Sequence, residues 1–121
     1  MLKTLLCAAA LVVTLPATDA FAQNWQRIKT EQQFRDLVVG RTGVSDGHRV
    51  KVHANGKMSG NIKGRGKING AWAWSGSFWC RNLNVGGEAL GQNCQTVHIS
   101  GNKVRYTQDK GKGRQSVWTL K

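Results

Sequence analysis

Two short segments carry the same pattern of residues with binding chemistry. Lys63-Gly64-Arg65-Gly66-Lys67 and Lys110-Gly111-Lys112-Gly113-Arg114 both read basic–Gly–basic–Gly–basic. Glycine lets backbone N–H groups approach an anion closely, and the flanking charges favour phosphate, sulfate or carboxylate. The plainer reading is that glycine makes the turns and lysine keeps them soluble. The whole chain leans the same way: 18 Lys and Arg against 6 Asp and Glu give a net charge of +12 in 121 residues. An anionic ligand, an anionic polymer or the charged surface of a cell envelope is therefore the expected partner. Nucleic acid fits the charge too, although no aromatic RNA-binding motif is present. Arg49, Lys51, Lys57 and Lys63, with His53, form a second basic stripe that reads as a solvated outer face.

The N-terminus bears on the compartment. Lys3 is followed by an apolar run from Leu5 to Leu15, too short to span a bilayer comfortably, and then by Ala20-Phe21-Ala22. This is the layout of a secretory signal peptide over residues 1–22, with cleavage expected before Gln23. No later stretch is apolar enough to cross a membrane as a helix. Removing Lys3 and Asp19 with the signal leaves 17 basic residues against five acids, so the charge is unchanged. The expected location is periplasmic or secreted. In an oxidising compartment Cys80 and Cys94 are expected to pair, closing a loop of about 15 residues worth about 3 kcal/mol.

The elements that position these groups follow from pattern. Residues 23–121 read as one small, mainly β domain. Thr30 and Gln33 form a capping box for a helix over about 31–39, with Phe34, Leu37 and Val38 on one face. From about residue 48 the pattern alternates with period two between glycine-rich breaks, which predicts an antiparallel meander of about seven strands. The predicted strands are about 48–53, 57–63, 67–74, 77–83, 92–100, 103–108 and 114–120. One apolar face must be buried, so the meander is expected to be barrel-like, with the helix over one end. A pair of packed sheets is the alternative.

Turn lengths then set the register. Gly101-Asn102 puts Ser100 opposite Lys103, and a three-residue turn at Ala54-Asn55-Gly56 pairs Val52 with Met58. A turn at Ser75-Gly76 puts Trp72 opposite Trp79. Leu83 opposite Gly91 brings Cys80 directly opposite Cys94, on the outer face. The same register points Arg81 inward, opposite Gly70. A buried arginine without a partner is costly. It either snorkels out at the barrel end or meets a carboxylate or a bound anion in the space that Gly70 leaves. Arg81, Gly70, Trp72 and Trp79 are thus the candidate pocket residues, beside the alternative that the tryptophans are simply core.

Known catalytic signatures are missing. There is no G-x-G-x-x-G after a strand, P-loop, G-x-S-x-G or H-E-x-x-H. The acids are scattered rather than paired. His48, His53 and His98 lack metal-ligand spacing, and no cofactor or metal is expected.

The stretch Trp72-Ala-Trp74-Ser-Gly76-Ser-Phe78-Trp79-Cys80-Arg81, followed by Asn93-Cys94-Gln95, resembles a group of small exported alphaproteobacterial proteins. They share W-x-W-x-G-x-aromatic-aromatic-C-R, then N-C-Q, then a basic strand and an acidic–basic–glycine turn, here Arg105 and Asp109-Lys110-Gly111. The resemblance runs from Phe34 to Leu120. Some members bear the label dihydrodipicolinate reductase. That label implies an NAD(P)-dependent Rossmann enzyme, and the chain has no nucleotide fingerprint onto which a catalytic residue can be carried.

Three expectations follow. The first is a non-enzymatic exported envelope protein that binds an anionic ligand or polymer through its basic, glycine-rich loops. The second is a lipocalin-like small barrel that holds an apolar or amphiphilic molecule, with Arg81 on its head group. The third is an enzyme without a recognisable motif. A cavity beside Arg81 and Gly70 favours the second.

Overall fold

The computed structural model describes residues 24–121. The expected signal peptide and its cleavage site lie outside the described residues. The elements run β1 (Gln26–Ile28), α1 (Glu31–Leu37), β2 (Thr42–Ser45), β3 (His48–Val52), β4 (Lys57–Ile62), β5 (Gly66–Ser75), β6 (Phe78–Val85), β7 (Glu88–Ser100), β8 (Lys103–Thr107), α2 (Gln108–Gly111) and β9 (Gln115–Leu120). The fold is mainly β, as the alternation implies.

Eight of the nine strands close into an antiparallel barrel in the order β7-β6-β5-β4-β3-β2-β9-β8, and β8 pairs back to β7. The expectation of seven strands beginning near residue 48 is corrected by β1 and β2. β2 is the strand that closes the ring, because it bridges β3 and β9 through Val44 opposite Arg49 and Thr119. Its sequence, TGVS, is too short to show alternation. β1 lies outside the ring, along the half of β7 that β6 leaves unpaired.

At the start of α1, the Thr30 hydroxyl accepts from Gln33 N at 3.2 Å, and Gln33 Oε1 accepts from Thr30 N at 3.3 Å. The helix stops at Leu37, two residues short of the expected end. Gly40 takes a positive φ of 85° and donates its N–H to Val52 O, tying the helix exit to the barrel.

Most of the expected registers hold. Ser100 faces Lys103, Val52 faces Met58, Leu83 faces Gly91 and Cys80 faces Cys94. The β5–β6 hairpin is the exception. Its turn is Gly76-Ser77, so Trp74 faces Trp79 and Trp72 faces Arg81. The shift is two residues, so every side chain stays on its expected face. Gly70 therefore pairs with Leu83, not with Arg81. A Cβ at Gly70 would overlap the Asn82 carbonyl and Leu83 itself. The glycine makes room for the neighbouring strand and leaves no space for a ligand.

The meander fixes two ends. The floor carries the turns at residues 53–56, Gly76-Ser77 and Gly101-Asn102. The mouth carries Asp46-Gly47, residues 63–65, Gly86-Gly87 and residues 108–114. α1 plugs the floor with Phe34, which is fully buried against Trp72, Trp74 and Trp79 at ring distances of 5.3, 5.5 and 6.0 Å. Trp72 Nε1 donates to His53 O at 2.7 Å. Outside the wall, Cys80 and Cys94 form a disulfide with a Cα separation of 4.0 Å.

Candidate functional site

With Phe34 filling the floor, a half-open cavity of about 420 Å³ lies in the barrel toward the other end. That is within the range of small-molecule sites, roughly 300–1,000 Å³. β6 supplies its axis of polarity. Trp79 lies deepest, Arg81 sits midway, and Leu83 and Val85 follow toward the mouth, because alternate residues of one strand face inward. Ile62, Ile68 and Leu90 add apolar wall near the opening. Arg65 and Arg114 stand on its rim.

Arg81 is 8% exposed. Its Nη1 donates to Gly91 O at 2.9 Å. The ion pairs among the described residues are Arg35–Glu31 and Arg65–Glu88, and neither touches it. Burial alone lowers its pKa from the ordinary guanidinium value, with no carboxylate to oppose the shift. It remains charged at neutral pH, since an arginine starts so high. The cavity therefore contains a cation for which no described residue supplies the counter-charge.

Other polar groups surround it. Trp79 Nε1 is buried without an acceptor. Its ring lies 4.6 Å from that of Tyr106, whose phenol is held protonated by burial. Gln95 is 4% exposed and lines the same space. Gln95 and Tyr106 were missing from the sequence-based site. A signal for Gln95 existed: pairing Cys80 with Cys94 places the next residue opposite Trp79, facing inward. Of the four expected pocket residues, Trp79 and Arg81 line the cavity. Trp72 belongs to the floor, and Gly70 to the β5–β6 contact.

The two basic segments do share the mouth end, but only one charge of each lines the cavity there. Arg65 and Arg114 line the cavity rim. Lys63 is exposed, and its backbone N–H donates to His48 Nδ1 at 2.9 Å. Lys67 has already entered β5, faces outward opposite Asn61, and borders a shallow outer depression with Arg49 and Lys51. Lys110 folds back onto the outer wall, 5.4 Å from the centre of the Phe78 ring, while Lys112 stays exposed.

The cause of that fold-back is local. Asp109 and Lys110 both adopt left-handed backbone, at φ 54° and 55°. Asn93 holds this shape from both sides, donating from Nδ2 to Asp109 Oδ1 at 2.8 Å and accepting Asp109 N at 3.0 Å. A plain glycine turn, as expected from sequence, would have left Lys110 at the mouth.

Among the described residues, no group of three His, Cys, Asp or Glu side chains is placed to hold a metal. No helix there is long and apolar enough to cross a membrane. No protein-family model, curated protein or solved structure matches the chain.

Proposed function

We propose that this chain is a small exported binding barrel that holds an amphiphile with a single anionic head group. The observation that carries the reading is Arg81: a buried guanidinium, unpaired with any carboxylate among the described residues, opening on a cavity of about 420 Å³. A carboxylate-class head accepts from the Arg81 guanidinium. The apolar body lies along Leu83, Val85, Ile62 and Leu90 toward the mouth. Arg65 and Arg114 raise the local concentration of anions at the entrance. The proposed role is binding rather than catalysis. The Cys80–Cys94 bridge supports export, because such bonds persist in oxidising compartments.

Binding of a polyanion by the loops has less support. Lys67 and Lys110 point onto different parts of the outer wall, so the basic segments do not present one continuous surface.

Calorimetric titration of the disulfide-bonded protein tests the reading. Dodecanoate is expected to bind one to one. Dodecanol lacks the charge and acetate lacks the chain, so each is expected to bind at least tenfold more weakly. Equal binding of dodecanoate and dodecanol contradicts a role for Arg81, and no binding of either contradicts the cavity as a ligand site.

A further inference from the structure

The outer wall carries a second set of unpaired polar groups, independent of the cavity. Arg27 on β1, His98 on β7 and Arg105 on β8 are direct cross-strand neighbours, with Arg27 opposite His98 and His98 opposite Arg105. All three face outward, since Ile28, Val97, Val104 and Tyr106 beside them fill the core. Arg27 and Arg105 thus flank the imidazole from either side on one face of the sheet. Nothing acidic offsets them: neither ion pair among the described residues involves this row. Arg27 Nε, Arg105 Nε and His98 Nδ1 are all buried without a hydrogen-bond partner. Buried polar groups left unpaired are rare enough to need an explanation.

The side chains are also held in place. The Arg105 guanidinium lies over the Trp25 ring at 4.7 Å, and the Arg27 guanidinium lies over Phe78 at 5.4 Å. Arg27 Nη2 also donates to the Ser77 carbonyl and hydroxyl, at 3.3 and 3.2 Å. Lys110 reaches the same Phe78 ring. Such stacking fixes a guanidinium before any ligand arrives, which lowers the ordering cost of binding.

We propose that the Arg27–His98–Arg105 row is a binding site for a phosphate-class oxyanion. A tetrahedral oxyanion offers acceptors in several directions at once, which suits two guanidinium groups flanking an imidazole better than a planar carboxylate does. The row already shifts its own histidine: burial first, then the charges of Arg105 and Arg27, lower the His98 pKa from 6.5. The phosphate is either free or carried on a lipid head group.

Titration of inorganic phosphate into the native protein, followed by the His98 side-chain NMR signals, tests this. The expected result is a saturable shift, at least tenfold weaker in Arg105→Gln and in Arg27→Gln, and unchanged in Arg81→Met. The two arginines sit on different strands, so misfolding of one variant leaves the other as a test. Vesicles of phosphatidylglycerol, against phosphatidylcholine, separate the sources. Retention lost in Arg105→Gln assigns the phosphate to lipid, whereas equal retention beside a saturable phosphate shift assigns it to the free ion. A phosphate shift no larger than that from chloride at equal ionic strength, with no vesicle retention sensitive to Arg105, overturns the proposal. So does a shift that both glutamine variants retain in full.

Discussion

Replacing Arg81 with methionine separates its two possible roles, as a ligand for an anion or as a structural brace. The substitution keeps the aliphatic stem and removes the charge. In the free protein it relieves the desolvation of an ion that is 8% exposed. That penalty reaches several kcal/mol for an ion in a dry interior. Here the cavity is wide enough to admit water, so only part of it applies. Against it stands the loss of one hydrogen bond from a charged donor, Nη1 to Gly91 O at 2.9 Å, worth about 1.5–3 kcal/mol. Gly91 itself is exposed, so its carbonyl recovers water when the donor leaves. The balance is a small net gain of about 1 kcal/mol, within the range seen when apolar residues replace buried charges. For a domain of this size that raises Tm by about 4–8 °C. Affinity moves the opposite way: losing one partner of a buried charged pair costs about 2–5 kcal/mol, so dodecanoate is expected to bind roughly thirtyfold more weakly or worse. Differential scanning calorimetry and calorimetric titration read the two effects separately. A Tm that falls by several degrees, with dodecanoate affinity intact, refutes the reasoning and makes Arg81 a brace for the β7 backbone.

Three further outcomes are expected. Replacing Cys80 and Cys94 together with alanine removes a loop closure worth about 3 kcal/mol, so Tm is expected to drop by roughly 12–24 °C by calorimetry; an unchanged Tm contradicts a stabilising bridge. Phe34→Ala empties the floor beneath three tryptophans and is expected to cost about 3–5 kcal/mol in urea unfolding. His98 has a folded-state pKa below its unfolded value of 6.5, so the unfolded chain takes up the proton first as pH falls. Its contribution to stability is complete above pH 6.5 and is lost as pH drops from there through the folded-state value. In phosphate-free buffer, His98→Gln is expected to flatten the rise of urea-derived stability across that window, and an identical slope in the variant contradicts the linkage.

Much of the barrel was legible because period two is robust to error. The sequence puts the β5–β6 turn one residue early, yet a two-residue shift of register conserves every inward face, so Arg81 and Trp79 point inward either way. The disulfide register was readable because a cross-strand bridge demands directly opposed residues. Four features were not legible. β2 is four residues long and owes its pairing to β3 and β9 rather than to its own pattern. The path of residues 108–114 depends on Asn93, 16 positions from Asp109, and no local rule anticipates that contact. The role of Gly70 was misread because a glycine that clears a neighbouring strand looks, in sequence, like one that clears a ligand. Lys67 and Lys110 were grouped with the loops by spacing alone, whereas strand alternation and the Asn93 clasp turn them onto the outer wall.

A crystal structure of the disulfide-bonded protein with dodecanoate tests the binding role most directly. The predicted result is one molecule inside the barrel, its carboxylate within hydrogen-bond distance of the Arg81 guanidinium and its chain running past Leu83 and Val85 to the rim at Arg65 and Arg114. A chain inserted in reverse, with its carboxylate on the rim arginines and Arg81 still unpaired, contradicts this, as does a cavity closed by the protein's own side chains.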